Sequence, residues 1–254
     1  MILTVDIGNS AITLGGFVGD ELKFSSRIST DRKRTADEYA VSILNSFKLY
    51  GIDKNDVNGV IIASVVPPIN SSMREAVMLI FGIEPIFVGP GVKSGILIQC
   101  DIPSSVGADI IASSVAAKAI HGCPCLVVDV DTVTKITLVD KKGAFVGTSI
   151  MPGILMGLDA LADGTAQLPK ISLEAPESVM GKNTADSMRS GAIYGNASMI
   201  DGMIDKVERE LGEKITVCIT GELSSLVSPY CNHHMEDDTH LVLKGLNLIY
   251  KKNN

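Results

Sequence analysis

The sequence predicts an α/β protein made of two similar halves. Short apolar segments rich in β-branched residues alternate along the chain with longer amphipathic segments, as strands and helices do in α/β folds. An internal repeat is the second observation. Leu3–Ile7 and Leu126–Val130, offset by 123 residues, are both apolar segments with Asp at the fourth position, followed by a turn and a second strand. Since the offset is close to half of the 254 residues, we expect domains at 1–118 and 119–254, with their Asp-bearing turns facing one cleft.

The first half is expected to open with three strands and to continue with alternating helices and strands. A polar turn follows Asp6, and Gly19–Asp20 is typical of a hairpin turn. The apolar segment before Pro67–Pro68 is continuous, which predicts a buried strand that the prolines end. The expected strands are Ile2–Asp6, Ala11–Phe17, Leu22–Ile28, Val60–Val65 and Pro85–Val88, and the expected helices are Thr35–Leu49, Asn70–Phe81 and Ala108–Ile120.

The second half repeats this succession. It begins with another continuous apolar strand, and Lys141–Gly143 is a turn between two further strands. The expected strands are Leu126–Asp129, Lys135–Val139, Phe145–Met151 and Ile215–Thr220, and the expected helices are Met156–Ala162, Thr184–Leu211 and Thr239–Tyr250.

Composition excludes several classes of function. The 22 basic and 29 acidic residues give a formal net charge of −7, which argues against binding to a nucleic-acid backbone. Aromatic residues make up 4% and Trp is absent, so base-stacking surfaces are not expected either. Apolar segments such as Val60–Pro68 are far shorter than the roughly 20 residues of a membrane span.

The compartment is expected to be the cytoplasm. The first apolar segment has no basic start and is interrupted by Asp6, unlike a signal peptide. The five cysteines include no C-x-x-C pair, and an odd number of cysteines in a cytoplasmic chain predicts free thiols.

The turn after the first strand has the residues of a phosphate site. Gly8 allows backbone amides to approach an anion closely, and Asn9 and Ser10 add side-chain donors. Asp6 is unsuited to direct contact with phosphate but suits Mg²⁺, or water bound to Mg²⁺. The alternative is an ordinary hairpin with Asn-Ser at its tip.

These residues belong to a set of motifs that resembles the type III pantothenate kinase family. The motifs occur in order along nearly the whole chain: D-I-G-N-S at Asp6–Ser10, A-S-V-V-P-P at Ala63–Pro68, V-G-P-G at Val88–Gly91, G-A-D at Gly107–Asp109, P-G at Pro152–Gly153, L-P-K at Leu168–Lys170, G-K-N-T at Gly181–Thr184 and L-K-G-L at Leu243–Leu246. The resemblance implies the duplicated actin-like, acetate-and-sugar-kinase-like fold. It also implies a homodimer that uses ATP to phosphorylate pantothenate in the first step of coenzyme A synthesis.

The resemblance also implies roles for single residues. Asp109 corresponds to the general base, beside the substrate-contacting Gly107 and Ala108; its alternative role is a helix N-cap. Asp129 corresponds to a ligand of a monovalent cation, K⁺ or NH₄⁺. Three further positions follow from the same comparison: Thr132 and Gly221 contact ATP, and Thr184 contacts substrate near the dimer partner's site, with an N-cap segment at Asn183-Thr184 as the alternative.

Several site positions depart from the family pattern. After Asp129 the family has D-F-G-T-A-T-T, whereas this chain has Asp131 in place of the glycine. Ile110 replaces an Arg that would pair with the substrate carboxylate, Cys100 replaces a Tyr of the substrate wall, and Glu222 replaces a glycine of the nucleotide turn. Two alternatives therefore remain open: a catalytically impaired paralogue serving as a binding or regulatory subunit, and a kinase for another small alcohol.

Overall fold

The computed structural model describes residues 1–254 and separates them into two compact units. Unit 1 comprises Met1–Ala116 and Leu241–Asn254, and unit 2 comprises Ala117–His240. In chain order the elements are β1 (Ile2–Ile7), β2 (Ala11–Val18), β3 (Glu21–Ser29), α1 (Ala36–Leu49), β4 (Gly59–Ser64), α2 (Asn70–Phe81), β5 (Ile86–Phe87), β6 (Leu97–Ile98), α3 (Ala108–His121), β7 (Cys125–Val130), β8 (Val133–Val139), β9 (Ala144–Pro152), α4 (Ile154–Gly164), α5 (Thr184–Leu211), β10 (Thr216–Thr220), α6 (Ser224–Val227), β11 (Glu236–Asp237) and α7 (Leu241–Asn253).

The two units have the same sheet topology. In unit 1 the strand order is β3-β2-β1-β4-β5, and in unit 2 it is β9-β8-β7-β10-β11. In each unit the first three strands of this sheet in sequence form an antiparallel meander. The fourth strand, β4 or β10, pairs in parallel with the first, and the fifth, β5 or β11, pairs in parallel with the fourth. This equivalence confirms the duplicated α/β fold that the 123-residue repeat predicts.

Each unit has its own apolar core. In unit 1 the inward side chains of β1, β2 and β4 pack with those of α1 and α2, including Tyr39, Phe47 and Met73. In unit 2 the buried residues of β7 and β10 pack with α5, including Ile193 and Ile200. Burial of side chains of this size contributes roughly 1.5–3 kcal/mol each before entropy costs are subtracted.

Local sequence signals set the helix ends. Thr35 caps α1 through a capping box: the Glu38 amide donates to Thr35 Oγ1 at 3.4 Å, and the Thr35 amide donates to Glu38 Oε2 at 2.8 Å. Gly82 and Gly212 end α2 and α5 in the left-handed conformation, at φ 65° and 72°. The predicted bounds of these two helices agree with the structure.

Helix α7 belongs to unit 1, so the second half is not one continuous domain to residue 254. Gly245 lies so close to α3 that a Cβ atom there would overlap the Ala112 carbonyl. Asn247 Nδ2 donates to the Gly19 carbonyl at 2.9 Å, and Lys251 pairs with Asp20 at 2.6 Å. These contacts tie the last helix to the first hairpin, and the other unit boundary lies two residues from the predicted one.

Candidate active site

The turn after β1 is closed by backbone and side-chain hydrogen bonds. The Gly8 amide donates to the Ala11 carbonyl at 3.0 Å, and Thr30 Oγ1 donates to the Gly8 carbonyl at 2.7 Å. Asn9 and Ser10 are exposed at the tip, while Asp6 is partly buried within β1. The side chains of Asn9 and Ser10, which the sequence assigns to phosphate, are therefore presented to solvent by a hydrogen-bonded turn.

A basic segment lies against this first turn. The Thr30 amide donates to the Ser10 carbonyl at 3.1 Å, and Arg32 Nη2 is 3.4 Å from Asn9 Oδ1. Arg32 itself is exposed, so its guanidinium can reach an anion at the turn. The β2–β3 register brings residue 30 back to residue 10, and this contact is not visible in composition.

The turn between β7 and β8 is the equivalent feature of unit 2. The Leu223 amide donates to the Val130 carbonyl at 3.1 Å, as the Val65 amide does to the Ile7 carbonyl at 3.1 Å in unit 1. Val130 and Ile7 are related by the 123-residue offset. The two turns are therefore supported by the same hydrogen bond from the chain that follows the neighbouring parallel strand.

Two glycines allow the backbone around the second turn to pack closely. A Cβ atom at Gly153 would overlap the carbonyl oxygens of Asp131 and Thr132. Gly221, at φ 99°, packs against the Val130 backbone in the same way, and a Cβ atom at position 221 would overlap the N, C and O atoms of Val130. Gly153 was recognised from sequence only as part of a family motif, and its packing role requires the three-dimensional fold.

Asp131 sits in this turn without backbone strain. Its amide donates to the Val133 carbonyl at 3.3 Å. No residue other than glycine has a positive φ angle anywhere in residues 1–254. Asp131 therefore adds a negative charge to the turn in a backbone conformation that does not require glycine.

A buried ion pair stands at the base of the second turn. Lys135 Nζ lies 2.8 Å from Asp129 Oδ2, and each side chain is only 12% exposed. The two residues are direct partners in the antiparallel β7–β8 register, so their side chains share one face of the sheet. Sequence reasoning missed Lys135 as a site residue, because only the strand register shows that it faces Asp129.

Asp109 lies in the first turn of α3, folded back over Gly107. A Cβ atom at position 107 would overlap Asp109 Oδ1, so glycine is what leaves room for the carboxylate. The Ile111 amide donates to the Gly107 carbonyl at 3.0 Å, and the helix begins at Ala108. Asp109 is the second residue of the helix, so the alternative that it is the N-cap is wrong.

The expected substrate residues fall in different environments. Ala108 and Ile110, both 7% exposed, flank Asp109 in α3. Cys100 is partly buried in the segment after β6. Thr184 is exposed as the first residue of α5, where Asn183 accepts a hydrogen bond from the Asp186 amide at 2.9 Å, so the N-cap alternative for this segment is confirmed.

The cysteines are free thiols, as the sequence predicts. Burial raises the pKa of Cys125 and of Cys231 to about 12, and it raises that of Cys218 as well. Thiols in this state are poor nucleophiles at neutral pH. Cys123, which precedes the start of β7, is exposed.

The comparison with known proteins decides the family. The family model described as type III pantothenate kinase matches residues 2–206. The chain belongs to the type III pantothenate kinase family. A relative of that name from Exiguobacterium sp. is 41% identical over 100% of this chain and 99% of its own, and one from Moorella thermoacetica is 38% identical over 100% of both. The resemblance found in the motifs is thus confirmed, and the protein is a phosphotransferase of the kinase type.

Solved structures agree on the fold. Component A of (R)-2-hydroxyglutaryl-CoA dehydratase from Acidaminococcus fermentans superposes with a TM-score of 0.59 at 14% identity, covering 99% of this chain and 98% of that chain. The inorganic polyphosphate/ATP-glucomannokinase from Arthrobacter sp. gives 0.52 at 12% identity, covering 100% and 99%. The architecture is the actin-like kinase fold. Membership of a kinase family implies ATP and a divalent metal ion.

None of the helices combines the length and the apolar character that crossing a membrane requires.

Proposed function

We propose that the protein transfers the γ-phosphoryl group of ATP to pantothenate, forming 4'-phosphopantothenate in coenzyme A synthesis. The observation that carries this proposal is the carboxylate of Asp109, held over Gly107 at the start of α3 in a chain of this family. The family match over nearly the full length supports the same substrate. We also propose that the protein works as a cytoplasmic homodimer, with Thr184 contacting substrate from the partner subunit.

The site residues have two separate roles in phosphoryl transfer, proton acceptance and phosphate binding. Asp109 accepts the hydroxyl proton of the alcohol as its oxygen bonds to the γ-phosphorus, while the bond from that phosphorus to the β–γ bridging oxygen breaks and ADP leaves. Asn9 and Ser10 of the first turn, where Gly8 leaves room for an anion, donate to nucleotide phosphates, and Thr132 and Gly221 of the second turn are assigned the same role. Little covalent chemistry is required of the protein, because positioning and charge stabilisation dominate phosphoryl transfer.

A divalent ion fits the first turn. The partly buried carboxylate of Asp6 sits at the end of a strand beside an exposed turn, and Mg²⁺ is usually held by one or two carboxylates together with water and phosphate oxygens. Asp6 would hold Mg²⁺, directly or through water. Bound there, the ion would neutralise charge on the transferring phosphoryl group.

A coupled assay that detects ADP tests the proposal. Pantothenate is compared with glycerol, a hexose and no acceptor, and the product is identified by mass spectrometry. We expect ADP release that depends on pantothenate, with one phosphoryl group added to it. Turnover of another alcohol with pantothenate inert would identify a kinase of different specificity, and nucleotide binding without any turnover would identify a non-catalytic subunit.

Gly107→Ala tests how Asp109 is positioned. The new Cβ atom would overlap Asp109 Oδ1, which lies at the end of a side chain that can rotate away, so the fold should survive. A displaced base is expected to lower kcat about 10²-fold, since a misplacement of about 1 Å can have that effect. Gly202→Ala in α5 is the matched control, because a Cβ atom there meets nothing within 4 Å. Equal kcat values for the two variants would contradict the proposed geometry.

A further inference from the structure

The resemblance assigns a monovalent cation to Asp129, and the residues around that carboxylate do not fit one. Lys135 Nζ already lies 2.8 Å from Asp129 Oδ2, where such an ion would bind the carboxylate. Both side chains are 12% exposed, so the ammonium is held in place rather than free to swing into solvent. A K⁺ ion added beside it would bring two like charges within a few ångströms of each other in a partly buried place.

The ammonium of Lys135 has the properties required of a substitute. It carries one positive charge and three hydrogen-bond donors, so it is a tethered relative of NH₄⁺. The β7–β8 register places it directly opposite Asp129, and both strands are hydrogen-bonded on each side within the sheet of unit 2. The tether keeps the cation present whatever the salt outside.

The charge of the turn leads to the same conclusion. The family pattern has Gly at position 131 and Thr at position 135, where this chain has Asp and Lys. One substitution adds a negative charge and the other a positive charge, so the segment Asp129–Lys135 keeps a formal net charge of −1. Asp131 alone would add a negative charge to the second turn, and the positive charge of Lys135 cancels it.

We propose that Lys135 replaces the monovalent cation at Asp129, so that nucleotide binding and turnover in this protein do not depend on K⁺ or NH₄⁺. Only the claim about turnover rests on the proposed kinase function. Lys135 is a positioning residue, because it acts through its contact with Asp129 and so through the conformation of the second turn. Thermal stability and ADP affinity can therefore test the role of Lys135 in the absence of pantothenate.

The first test uses the unmodified protein in KCl, NH₄Cl, NaCl and choline chloride at equal ionic strength. Thermal unfolding, ADP binding by calorimetry and the coupled pantothenate assay are measured in each salt. We expect the affinity and the rate to vary by less than about twofold, because an ion that does not bind cannot stabilise the folded state. A selective rise of the melting temperature, the ADP affinity or the rate in KCl or NH₄Cl would overturn the proposal.

The second test removes the tethered cation. Lys135→Thr leaves the Asp129 carboxylate buried without its ammonium, and we expect the melting temperature in choline chloride to fall by roughly 5–10 °C. K⁺ or NH₄⁺, but not choline, should restore much of that loss and of the ADP affinity. Lys135→Arg keeps the charge and is expected to remain independent of salt.

A control at an ion pair whose lysine is 83% exposed separates this behaviour from ordinary loss of an ion pair. Lys214→Thr removes the ammonium that lies 2.6 Å from Glu208 Oε2, a carboxylate side chain only 9% exposed, and K⁺ should not restore its stability. A Lys135→Thr variant no more responsive to K⁺ than Lys214→Thr would show that Lys135 is merely structural and overturn the proposal. If Lys135→Thr does not fold in any salt, salt dependence of the wild type or of Lys135→Arg would overturn the proposal, and salt independence of both would support it. Salt-independent ADP binding without pantothenate turnover would overturn the proposed function and leave this inference intact.

Discussion

Asp109→Asn is expected to lower kcat for pantothenate phosphorylation by about 10²–10⁴-fold, the usual contribution of a general base. Asn has nearly the same size and can occupy the space over Gly107, but it cannot accept the hydroxyl proton. ATP affinity should change little, because in the proposed arrangement Asp109 acts on the alcohol and not on the nucleotide. The measurement is steady-state kinetics together with nucleotide calorimetry.

Asp101→Asn is the control for this prediction. Asp101 is an exposed acid in the segment before α3, so its loss removes the same charge without altering the start of the helix. Thermal unfolding of both variants checks the fold. A fully active Asp109→Asn enzyme would show that another group takes the proton or that none is required.

Much of the fold follows from local sequence signals. The capping box at Thr35 and Glu38 and the glycines after α2 and α5 act within a few residues, so they are visible without tertiary information. The repeat of an apolar strand with Asp at its fourth position predicts two sheets of equal topology, because equivalent patterns bury equivalent faces. The elements that escaped prediction include β6 and β11, whose two residues are too few to establish a period.

The site was predictable as motifs but not as contacts. The turn after β1 and Asp109 lie in contiguous motifs, so their residues could be listed from the sequence. The Asp129–Lys135 pair depends on a hairpin register, and the packing of α7 on unit 1 depends on contacts between segments far apart in sequence, such as Asn247 with Gly19. Sequence reasoning accordingly counted the negative charge of Asp131 and overlooked the positive charge that balances it.

Gly221→Ala is the second variant with a large expected effect, and it tests whether the tight packing of the second turn is required. The backbone at 221 has φ 99°, which costs an alanine about 1–3 kcal/mol. Its Cβ atom would also overlap the backbone of Val130, which cannot rotate away as a side chain can. With about 1–3 kcal/mol more for overpacking, we expect the free energy of unfolding to fall by about 2–6 kcal/mol.

Gly212→Ala separates the two contributions. Gly212 has φ 72°, also in the left-handed region, but a Cβ atom there meets nothing within 4 Å, so only the conformational cost of about 1–3 kcal/mol should appear. Denaturant unfolding measures both variants, and ADP calorimetry should show weaker binding only for Gly221→Ala. Equal losses of stability with unchanged ADP affinity would mean that the β7–β8 turn can move away from residue 221. In that case the close packing of backbone at the second turn would not be required for it to bind phosphate.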